Sequence, residues 1–563
     1  MQEKFPRFTY RRPDLAALQE EWRFLLNNFS RATTAAAQQE IIEQINQRRQ
    51  EFESMASLAH IRHTINTNDQ YYAAEQDFFD EAEPHFQELI TAYYRQLVTS
   101  PFSRELSARY GQQLFNIAEM TLKAFSPAVI ADLQQENKVV SQYKKLLASA
   151  AIPFAGEKRN LAQLVPFQQA PERATRQAAA EARYSFFAEH EDAFDELYEQ
   201  LVAVRTTIAH KLGFSSFIPL AYLRRHRSDY QADQVAAFRR AMERYAVPLT
   251  ARLREQQRRR LGITKLYYYD ESIYFPQGNA QPRGSAKELI AQARRMYEQL
   301  APETAAFFQE MTERRLMDLL SRPGKSPGGY CDYLALYQAP FIFANFNGTS
   351  GDVDVLTHEA GHAFQVWLGR ERQIPEYHFA TMDAAEIPSM GMEFFTWPYM
   401  ELFFAEQAQQ YRYEHLSSAY LFLPYGCLVD HFQHQVFAEP RLKPVQRRRL
   451  WRELEKRYLP YRDYDGQPFL EAGGYWFQQG HIFEVPFYYI DYVLAQSCVF
   501  QLWQRALTDP RSAWQDYLSL CRAGGSRSFT QLLPLARLTS PLAAGTVSQV
   551  TQQVQAWLAE HEL

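Results

Sequence analysis

Apolar positions along the first third of the chain recur at intervals of three and four residues. Between about Pro13 and Ala155, Gln, Glu, Ala and Leu dominate, and the run from Phe86 to Leu97 places its apolar side chains on one helical face. This spacing is typical of amphipathic helices, and the scarcity of glycine and proline indicates that they are long. The pattern loosens over Gly156–Glu172 and then resumes. It predicts an N-terminal helical lobe over residues 1–172 and a second region over residues 173–563.

Two segments interrupt the helical pattern. Thr264–Asp270 and Ala339–Gly348 are rich in aromatic and apolar residues, and both are predicted to be β-strands. Between them, Arg322–Cys331 contains the densest cluster of glycine and proline and is predicted to be a loop. The chain should therefore be mainly α-helical with a small β-sheet.

The amino-acid composition of the chain excludes several classes of protein function. The chain has 60 Lys and Arg against 65 Asp and Glu, a net charge of −5, so a dedicated nucleic-acid binder is not expected. Four scattered cysteines suit a reducing compartment rather than a disulfide framework. The first twelve residues lack the apolar stretch of a signal peptide, and no apolar run is long enough to span a membrane. The expected location is the cytoplasm, without a membrane partner.

The apolar run Val353–Leu368 has helical periodicity and contains His358-Glu-Ala-Gly-His362. Residues four apart lie about 40° apart around a helix, so both imidazoles can reach one metal ion, with Glu359 beside it. Two imidazole ligands and a carboxylate that accepts a proton from water are typical of a zinc hydrolase. The alternative is that two histidines merely share a helix face.

A catalytic zinc ion needs a third protein ligand and an open position for water. The metzincin pattern requires Gly at 365 and His at 368, but the chain has Gln365 and Leu368, which excludes it. Glu386 follows His362 by 24 residues, and Glu393 lies seven residues further on. Seven residues are about two helical turns, so one carboxylate can be a ligand and the other can accept a hydrogen bond from a ligand histidine.

The stretch Asn345–Ala363, followed by Glu386-Ile-Pro-Ser389, resembles the thimet oligopeptidase and oligoendopeptidase F family of zinc metallopeptidases. It is most similar to the Pz-peptidase-like bacterial oligoendopeptidases. The resemblance covers about residues 200–563. It implies one zinc ion per chain bound by His358, His362 and Glu386, with Glu359 as general base and Asp354 in a supporting position, beside the supporting role that spacing gives to Glu393.

A second block, Gly480–Tyr492, is similar to the stretch of histidine and tyrosines that faces the zinc in this family. Attack on a peptide carbonyl develops negative charge on its oxygen, and fixed hydrogen-bond donors stabilise that charge. The candidates are His481, Tyr489 and Tyr492. Tyr488 remains an alternative to Tyr489, because alignment with distant members of the family needs a one-residue gap.

The predicted strand Ala339–Asn347 precedes the zinc helix and is expected at the edge of the sheet. An edge strand can pair with an extended peptide, and Gly328 and Gly329 would let a peptide backbone approach closely. The candidate substrate contacts are Gly328, Gly329, Tyr330, Phe343, Ala344, Asn345 and Tyr488.

Together these features predict two helical lobes around a deep substrate channel, with a small sheet beside the zinc-binding helix. The expected activity is hydrolysis of internal bonds in short unstructured peptides. The alternatives are a dipeptide-releasing carboxypeptidase of the same family and a helical scaffold protein that has lost catalysis. A carboxypeptidase would need a cationic group for the terminal carboxylate, which the sequence does not identify. The sequence leaves the oligomeric state open.

Overall fold

The computed structural model describes residues 3–563, so the first two residues of the predicted N-terminal lobe lie outside the described part of the chain. Polar residues start the first three helices: the side chains of Asp14, Thr34 and Asp69 accept hydrogen bonds from backbone N–H groups of the following turn. The N-terminal helices are α1 Leu15–Arg31, α2 Ala35–Ile65, α3 Gln70–Val98, α4 Ser103–Tyr110, α5 Gln112–Ala124 and α6 Ile130–Ala148.

A hairpin of two short strands, β1 Ile152–Phe154 and β2 Glu157–Arg159, follows α6. Helices then resume, as the sequence predicts, and the mainly α-helical fold is confirmed. The domain division at residue 172 stays a prediction. The next helices are α7 Val165–Gln168, α8 Arg173–Glu189, α9 Glu191–Lys211, α10 Phe217–Arg224, α11 Ala232–Arg260, α12 Ala286–Leu300 and α13 Pro302–Glu313.

Three strands form the sheet that precedes the predicted zinc helix: β3 Met317–Leu320, β4 Tyr330–Leu334 and β5 Ala339–Phe346. Their order is β3-β5-β4, with β3 parallel and β4 antiparallel to β5. The small sheet is confirmed, but the prediction that the Ala339–Asn347 strand lies at its edge is wrong. Both sides of β5 are paired, and all but one of its residues are buried, as expected of a central strand. The edge strands are β3 and β4, and the loop Arg322–Gly329 connects them.

The prediction of a β-strand at Thr264–Asp270 is also wrong. The segment is irregular and ends in a 3₁₀ turn, Tyr268–Asp270. The Asp270 carboxylate accepts a hydrogen bond from the backbone N–H of Tyr267 and pairs with Arg173 and Arg176. A side chain therefore satisfies a backbone donor that a strand would give to a neighbour, and this favours a turn.

The last strand leads directly into the helix that carries the H-E-x-x-H sequence, α14 Gly351–Gly369. In the connection, the Asp352 carboxylate accepts hydrogen bonds of 2.8 Å from the N–H groups of Asn347 and Gly348. This fixes the start of α14 against β5. The remaining helices are α15 Glu386–Phe395, α16 Glu401–Phe404, α17 Ala408–Ala438, α18 Pro444–Tyr458, α19 Pro468–Glu471, α20 Gly480–Glu484, α21 Tyr489–Ala506, α22 Pro510–Ala523, α23 Phe529–Leu532 and α24 Thr546–Glu560.

Within residues 3–563, no helix combines the length and the apolar character needed to cross a membrane.

Candidate metal centre and active site

The side chains of His358, His362 and Glu386 converge on one point. Nε2 of His358 lies 3.2 Å from Oε2 of Glu386, and Nε2 of His362 lies 3.1 Å from the same oxygen. Ligand atoms held tetrahedrally about 2.0–2.1 Å from a zinc ion are about 3.4 Å apart, so these three atoms are spaced for a single ion. In the described part of the chain, this is the only group of three or more His, Cys, Asp or Glu side chains with this convergence.

A close approach of two helices brings the third carboxylate to the histidines. A Cβ on Gly361 of α14 would lie 2.5 Å from the carbonyl oxygen of Pro388 and 2.6 Å from Cα of Ser389, both in the first turn of α15. Only glycine leaves room for this packing. Ser389 then donates a 2.8 Å hydrogen bond to Oε2 of Glu386, which orients that oxygen toward the imidazoles.

Glu393 accepts hydrogen bonds from two histidines. Its Oε1 lies 2.6 Å from Nδ1 of His358, and its Oε2 lies 2.7 Å from Nε2 of His415. Trp397 donates to Nδ1 of His415 at 3.2 Å. The bond to Nδ1 orients His358 and leaves its Nε2 lone pair for a metal ion. Sequence analysis missed His415 and Trp397, because neither lies at a spacing that connects it to the H-E-x-x-H motif.

Asp354 lies one turn before His358 and accepts a 2.6 Å hydrogen bond from the hydroxyl of Tyr411. Burial raises the pKa of its carboxyl to about 6. It makes no direct hydrogen bond to His358, His362 or Glu386. Asp354 thus connects α14 to α17, which carries both Tyr411 and His415.

Glu359 is buried beside the three converging side chains, and its Oε2 has no hydrogen-bond partner. Burial raises the pKa of the carboxyl, and the imidazoles of His358 and His362 partly oppose that effect. A buried carboxylate oxygen without a partner is costly unless a further group, such as a water molecule, binds there. The donor set of two imidazoles and one carboxylate, with a free basic oxygen beside it, fits a catalytic zinc centre.

The opposite wall comes from α20 and the start of α21. The Tyr488 hydroxyl donates to Oε1 of Glu386, and Nε2 of His481 lies 3.1 Å from the Tyr492 hydroxyl. The Tyr489 ring instead packs edge-on against Phe422 and Tyr425. Of the two tyrosines that the sequence left open, the structure places Tyr488 against the metal cluster.

The hydrogen bonds around His481 define its tautomer. Tyr425 donates to Oε1 of Gln479 at 2.7 Å, so the amide nitrogen of Gln479 faces Nδ1 of His481, at 2.9 Å. Nδ1 is then an acceptor, and the proton lies on Nε2, where it is donated to the oxygen of Tyr492. Burial lowers the pKa of His481, which favours this neutral form. The phenolic proton of Tyr492 remains available to another acceptor.

The six sheet and loop residues predicted to contact substrate fall into two groups. Gly328, Gly329 and Tyr330 line a cavity, and a Cβ on Gly329 would lie 3.2 Å from Oε1 of Glu359. Phe343 and Ala344 are fully buried in the central strand β5. Asn345 donates to the carbonyl oxygens of Ser326 and Gly328 and so holds the loop in place. The structure thus brings the loop and β4, but not β5, to the cavity.

Two adjoining cavities flank the metal cluster. The first, of about 780 Å³, is lined by Asp354, Glu393, Tyr489 and Tyr492 among others. The second, of about 530 Å³, is lined by the loop that contains Gly328. His481, Arg183 and Gln478 line both cavities. The two cavities therefore adjoin at the wall that faces the metal cluster.

Comparison with known proteins agrees with this geometry. Residues 5–125 match the peptidase M3 N-terminal domain, and residues 167–550 match peptidase family M3. A structure assigned as oligoendopeptidase F is 55% identical, with a TM-score of 0.98 and 99% coverage of both chains. Pz peptidase A, solved with an inhibitor, is 52% identical, with the same TM-score and coverage.

A curated oligoendopeptidase F homologue from Lactococcus lactis is 25% identical over 221 residues. That match spans 39% of this chain and only 36% of the relative. The family model, in contrast, covers well over half of the chain and includes every residue of the metal cluster. The family resemblance seen in the sequence is confirmed, and the chain belongs to peptidase family M3.

Proposed function

We propose that this protein is a zinc-dependent oligoendopeptidase that hydrolyses internal bonds of short, unstructured peptides. The observation that carries the proposal is the convergence of His358, His362 and Glu386 beside the unpartnered carboxylate oxygen of Glu359. These residues would supply two imidazole nitrogens and one carboxylate oxygen to an ion, a donor set that favours zinc over the hard ions magnesium and calcium. Similarity to oligoendopeptidase F and Pz peptidase A supports peptides as substrates.

Zinc, when bound, supplies the Lewis acidity that lowers the pKa of water toward about 7. In the proposed mechanism, Oε2 of Glu359 accepts a proton from the attacking water. Glu359 then delivers that proton to the amine that leaves, and neutral His481 is the second candidate for this transfer. Tyr492 donates its free phenolic proton to the carbonyl oxygen, where negative charge develops. Tyr488 holds Oε1 of Glu386 so that Oε2 faces the two imidazoles.

The proposed peptide-binding strand is β4 rather than β5. Among the described strands, β4 pairs only with β5, so no strand occupies its second edge, and we propose that an extended peptide pairs there. Gly329 immediately precedes β4 and lies beside Glu359, which would place the bond to be cleaved next to the base. Backbone hydrogen bonds do not depend on the side chains of the peptide, so this mode of binding suits an enzyme that accepts many peptide sequences.

All four cysteines are free thiols, three of them buried. Unpaired cysteines are typical of reducing compartments, so we propose that the protein acts in the cytoplasm.

Tyr492→Phe should lower kcat by about 10²-fold with little change in KM. A donor to the developing oxyanion acts mainly in the transition state, and the loss of one such donor costs about 10²–10³ in kcat. Steady-state kinetics on a fluorogenic peptide measure the effect. Tyr71→Phe, which removes an exposed hydroxyl from α3, is the matched control and should retain wild-type activity. A loss in Tyr492→Phe that is confined to KM would assign this tyrosine to ground-state binding.

Mass spectrometry of the products from a peptide mixture tests the proposed function. Internal cleavage by the zinc-loaded protein supports an oligoendopeptidase, whereas release of dipeptides from the carboxyl end supports the alternative. A helical scaffold would release nothing. Folded proteins offered beside the peptides should remain uncut, because a folded domain cannot reach a metal centre inside a channel. Comparable cleavage of both would contradict the channel mechanism.

A further inference from the structure

The turn between α20 and α21 has an unusual backbone conformation at Phe487. Its φ is 65°, in the left-handed region that residues other than glycine rarely adopt. Phe487 immediately precedes Tyr488, whose hydroxyl contacts Glu386, and Tyr492 lies one turn further along the chain. Strained residues of this kind persist only where surrounding contacts hold them, and they are frequent at functional sites. The contacts that hold Phe487 therefore bear on both tyrosines.

The carbonyl group of Phe487 is held by Arg227, which follows α10. Nη2 of Arg227 donates hydrogen bonds of 2.5 Å to this carbonyl oxygen and of 2.6 Å to a carboxylate oxygen of Asp491, in the first turn of α21. The side chains of Arg227 and Asp491 are completely buried. One guanidinium thus joins the backbone just before Tyr488 to the helix that carries Tyr492.

The N–H group of Phe487 is held by a different helix. It donates a 2.9 Å hydrogen bond to Oε1 of Gln433, on α17. Gln433 is fully buried, and its amide nitrogen donates to the carbonyl oxygen of Val429 at 3.2 Å, which fixes the orientation of the amide. Both polar backbone groups of Phe487 therefore bind buried side chains, so the conformation of this turn depends on those side chains.

The ring of Phe487 is packed among aromatic side chains of α10 and α17. Its centroid lies 4.9 Å from that of His434, 5.7 Å from that of Phe437 and 6.3 Å from that of Phe217. Glycine at position 487 would relieve the backbone strain, but it would lose this packing. The turn is thus fixed by its ring as well as by its two backbone hydrogen bonds.

The conformation of the turn sets the position of both tyrosines. Tyr488 is the N-cap residue of α21, and its ring centroid lies 5.0 Å from that of Tyr492. A rotation at Phe487 would therefore move both hydroxyls relative to the metal cluster. Arg227, Gln433 and Phe487 line neither of the two cavities beside that cluster. Any effect of these three residues on a bound peptide must therefore pass through the tyrosines.

We propose that Arg227 and Gln433 are positioning residues for peptide hydrolysis, which hold the backbone of Phe487 so that Tyr488 and Tyr492 face the metal cluster. The inference rests on the proposed function. Firm placement matters because a displacement of about 1 Å, caused by a mutation far from the reacting atoms, can cost about 10²-fold in rate. The strain at Phe487 is then part of the arrangement that brings the two hydroxyls into place.

Arg227→Met/Asp491→Asn tests the role of the guanidinium. Both charges are removed together, because loss of one partner alone would leave an uncompensated buried charge and destabilise the protein. At saturating zinc, kcat on a fluorogenic peptide should fall by about 10²-fold with little change in KM. Arg448→Met/Asp195→Asn removes another buried pair, which lines neither cavity, and should retain the wild-type kcat. An unchanged kcat in the first variant, or an equal loss in the control, would overturn the proposal.

Combination with tyrosine variants distinguishes positioning from a general structural role. In Tyr488→Phe/Tyr492→Phe both hydroxyls are already absent. Addition of Arg227→Met/Asp491→Asn should then lower kcat by no more than about twofold, the usual scatter of such comparisons. A further loss of about 10²-fold would show that the two effects are additive, and it would overturn the proposal.

Gln433→Met tests the second contact and remains informative if the charge-pair variant does not fold. It removes the acceptor of the Phe487 N–H group and keeps a similar side-chain volume. We expect kcat to fall with little change in KM, and Gln433→Glu, which keeps an acceptor oxygen, should restore part of the rate. Circular dichroism checks that each variant is folded. A folded Gln433→Met protein with the wild-type kcat would overturn the proposal.

Crystal structures separate this proposal from the proposed function. In Arg227→Met/Asp491→Asn the hydroxyl of Tyr488 should lie more than about 3.5 Å from Oε1 of Glu386, beyond hydrogen-bond distance. A hydroxyl that keeps its contact with Glu386 would overturn the positioning role, whether or not the protein cleaves peptides. A wild-type protein that hydrolyses no peptide would refute the oligoendopeptidase, and the displacement of Tyr488 would still decide whether Arg227 positions it.

Discussion

Glu359→Gln is expected to retain zinc and to lose kcat by about 10²–10⁴-fold. Glutamine preserves the shape of the side chain, but it cannot accept the proton from the attacking water. The Oε2 atom of Glu359 has no partner within the described chain, so no protein hydrogen bond is lost in the exchange. Metal content by mass spectrometry and single-turnover kinetics on a fluorogenic peptide measure the two effects separately.

Glu371→Gln is the matched control, since it makes the same chemical change at an exposed residue just beyond α14. It should behave as the wild-type enzyme does. Retention of more than about a tenth of the wild-type rate by Glu359→Gln would be incompatible with general-base catalysis by this residue. Loss of zinc from the variant would instead show that the carboxylate holds the metal.

Glu386→Ala is expected to weaken zinc binding by more than about 10²-fold and to abolish peptide hydrolysis at limiting zinc. Its Oε2 lies within 3.2 Å of both ligand nitrogens, and its removal leaves only two protein ligands. The second carboxylate, Glu393, already holds two histidines and cannot replace it without breaking those bonds. Competition with a chromogenic chelator measures the affinity.

The zinc affinity of Glu393→Gln provides an intermediate point for comparison with Glu386→Ala. Partners that orient a metal ligand typically contribute 10- to 100-fold to affinity, so this variant should fall between wild type and Glu386→Ala. An affinity of Glu386→Ala equal to that of the wild type would remove Glu386 from the metal site. A stronger effect of Glu393→Gln than of Glu386→Ala would exchange the proposed roles of the two carboxylates.

The sequence predicts the features of this protein that depend on local spacing. Helical periodicity gives the N-terminal helices, and an interval of four residues brings His358 and His362 to one face of α14. Glu386 could be named because a zinc site needs one further ligand and because Gln365 and Leu368 exclude the metzincin pattern. The structure places all three side chains together.

Features that depend on contacts between residues far apart in the sequence could not be predicted from local spacing. The edge position expected of Ala339–Asn347 fails because β3 and β4 occupy both of its sides, and strand order is not encoded in the strand itself. His415 reaches Glu393 from a helix that begins 15 residues further along the chain. The choice between Tyr488 and Tyr489 depends on where α21 starts, and helix boundaries are the least certain part of sequence-based prediction.

The glycine that separates the two ligand-bearing helices extends what an H-E-x-x-H sequence can reveal. Any side chain at position 361 would collide with the backbone of α15, so the fourth residue of the motif limits how near a second helix can pass. A bulky residue there implies that the last ligand arrives from another direction or from a more distant segment. The residues at the two variable positions of the motif therefore indicate how closely a second ligand-bearing helix can pack. They can help to distinguish classes of zinc hydrolase from the sequence alone.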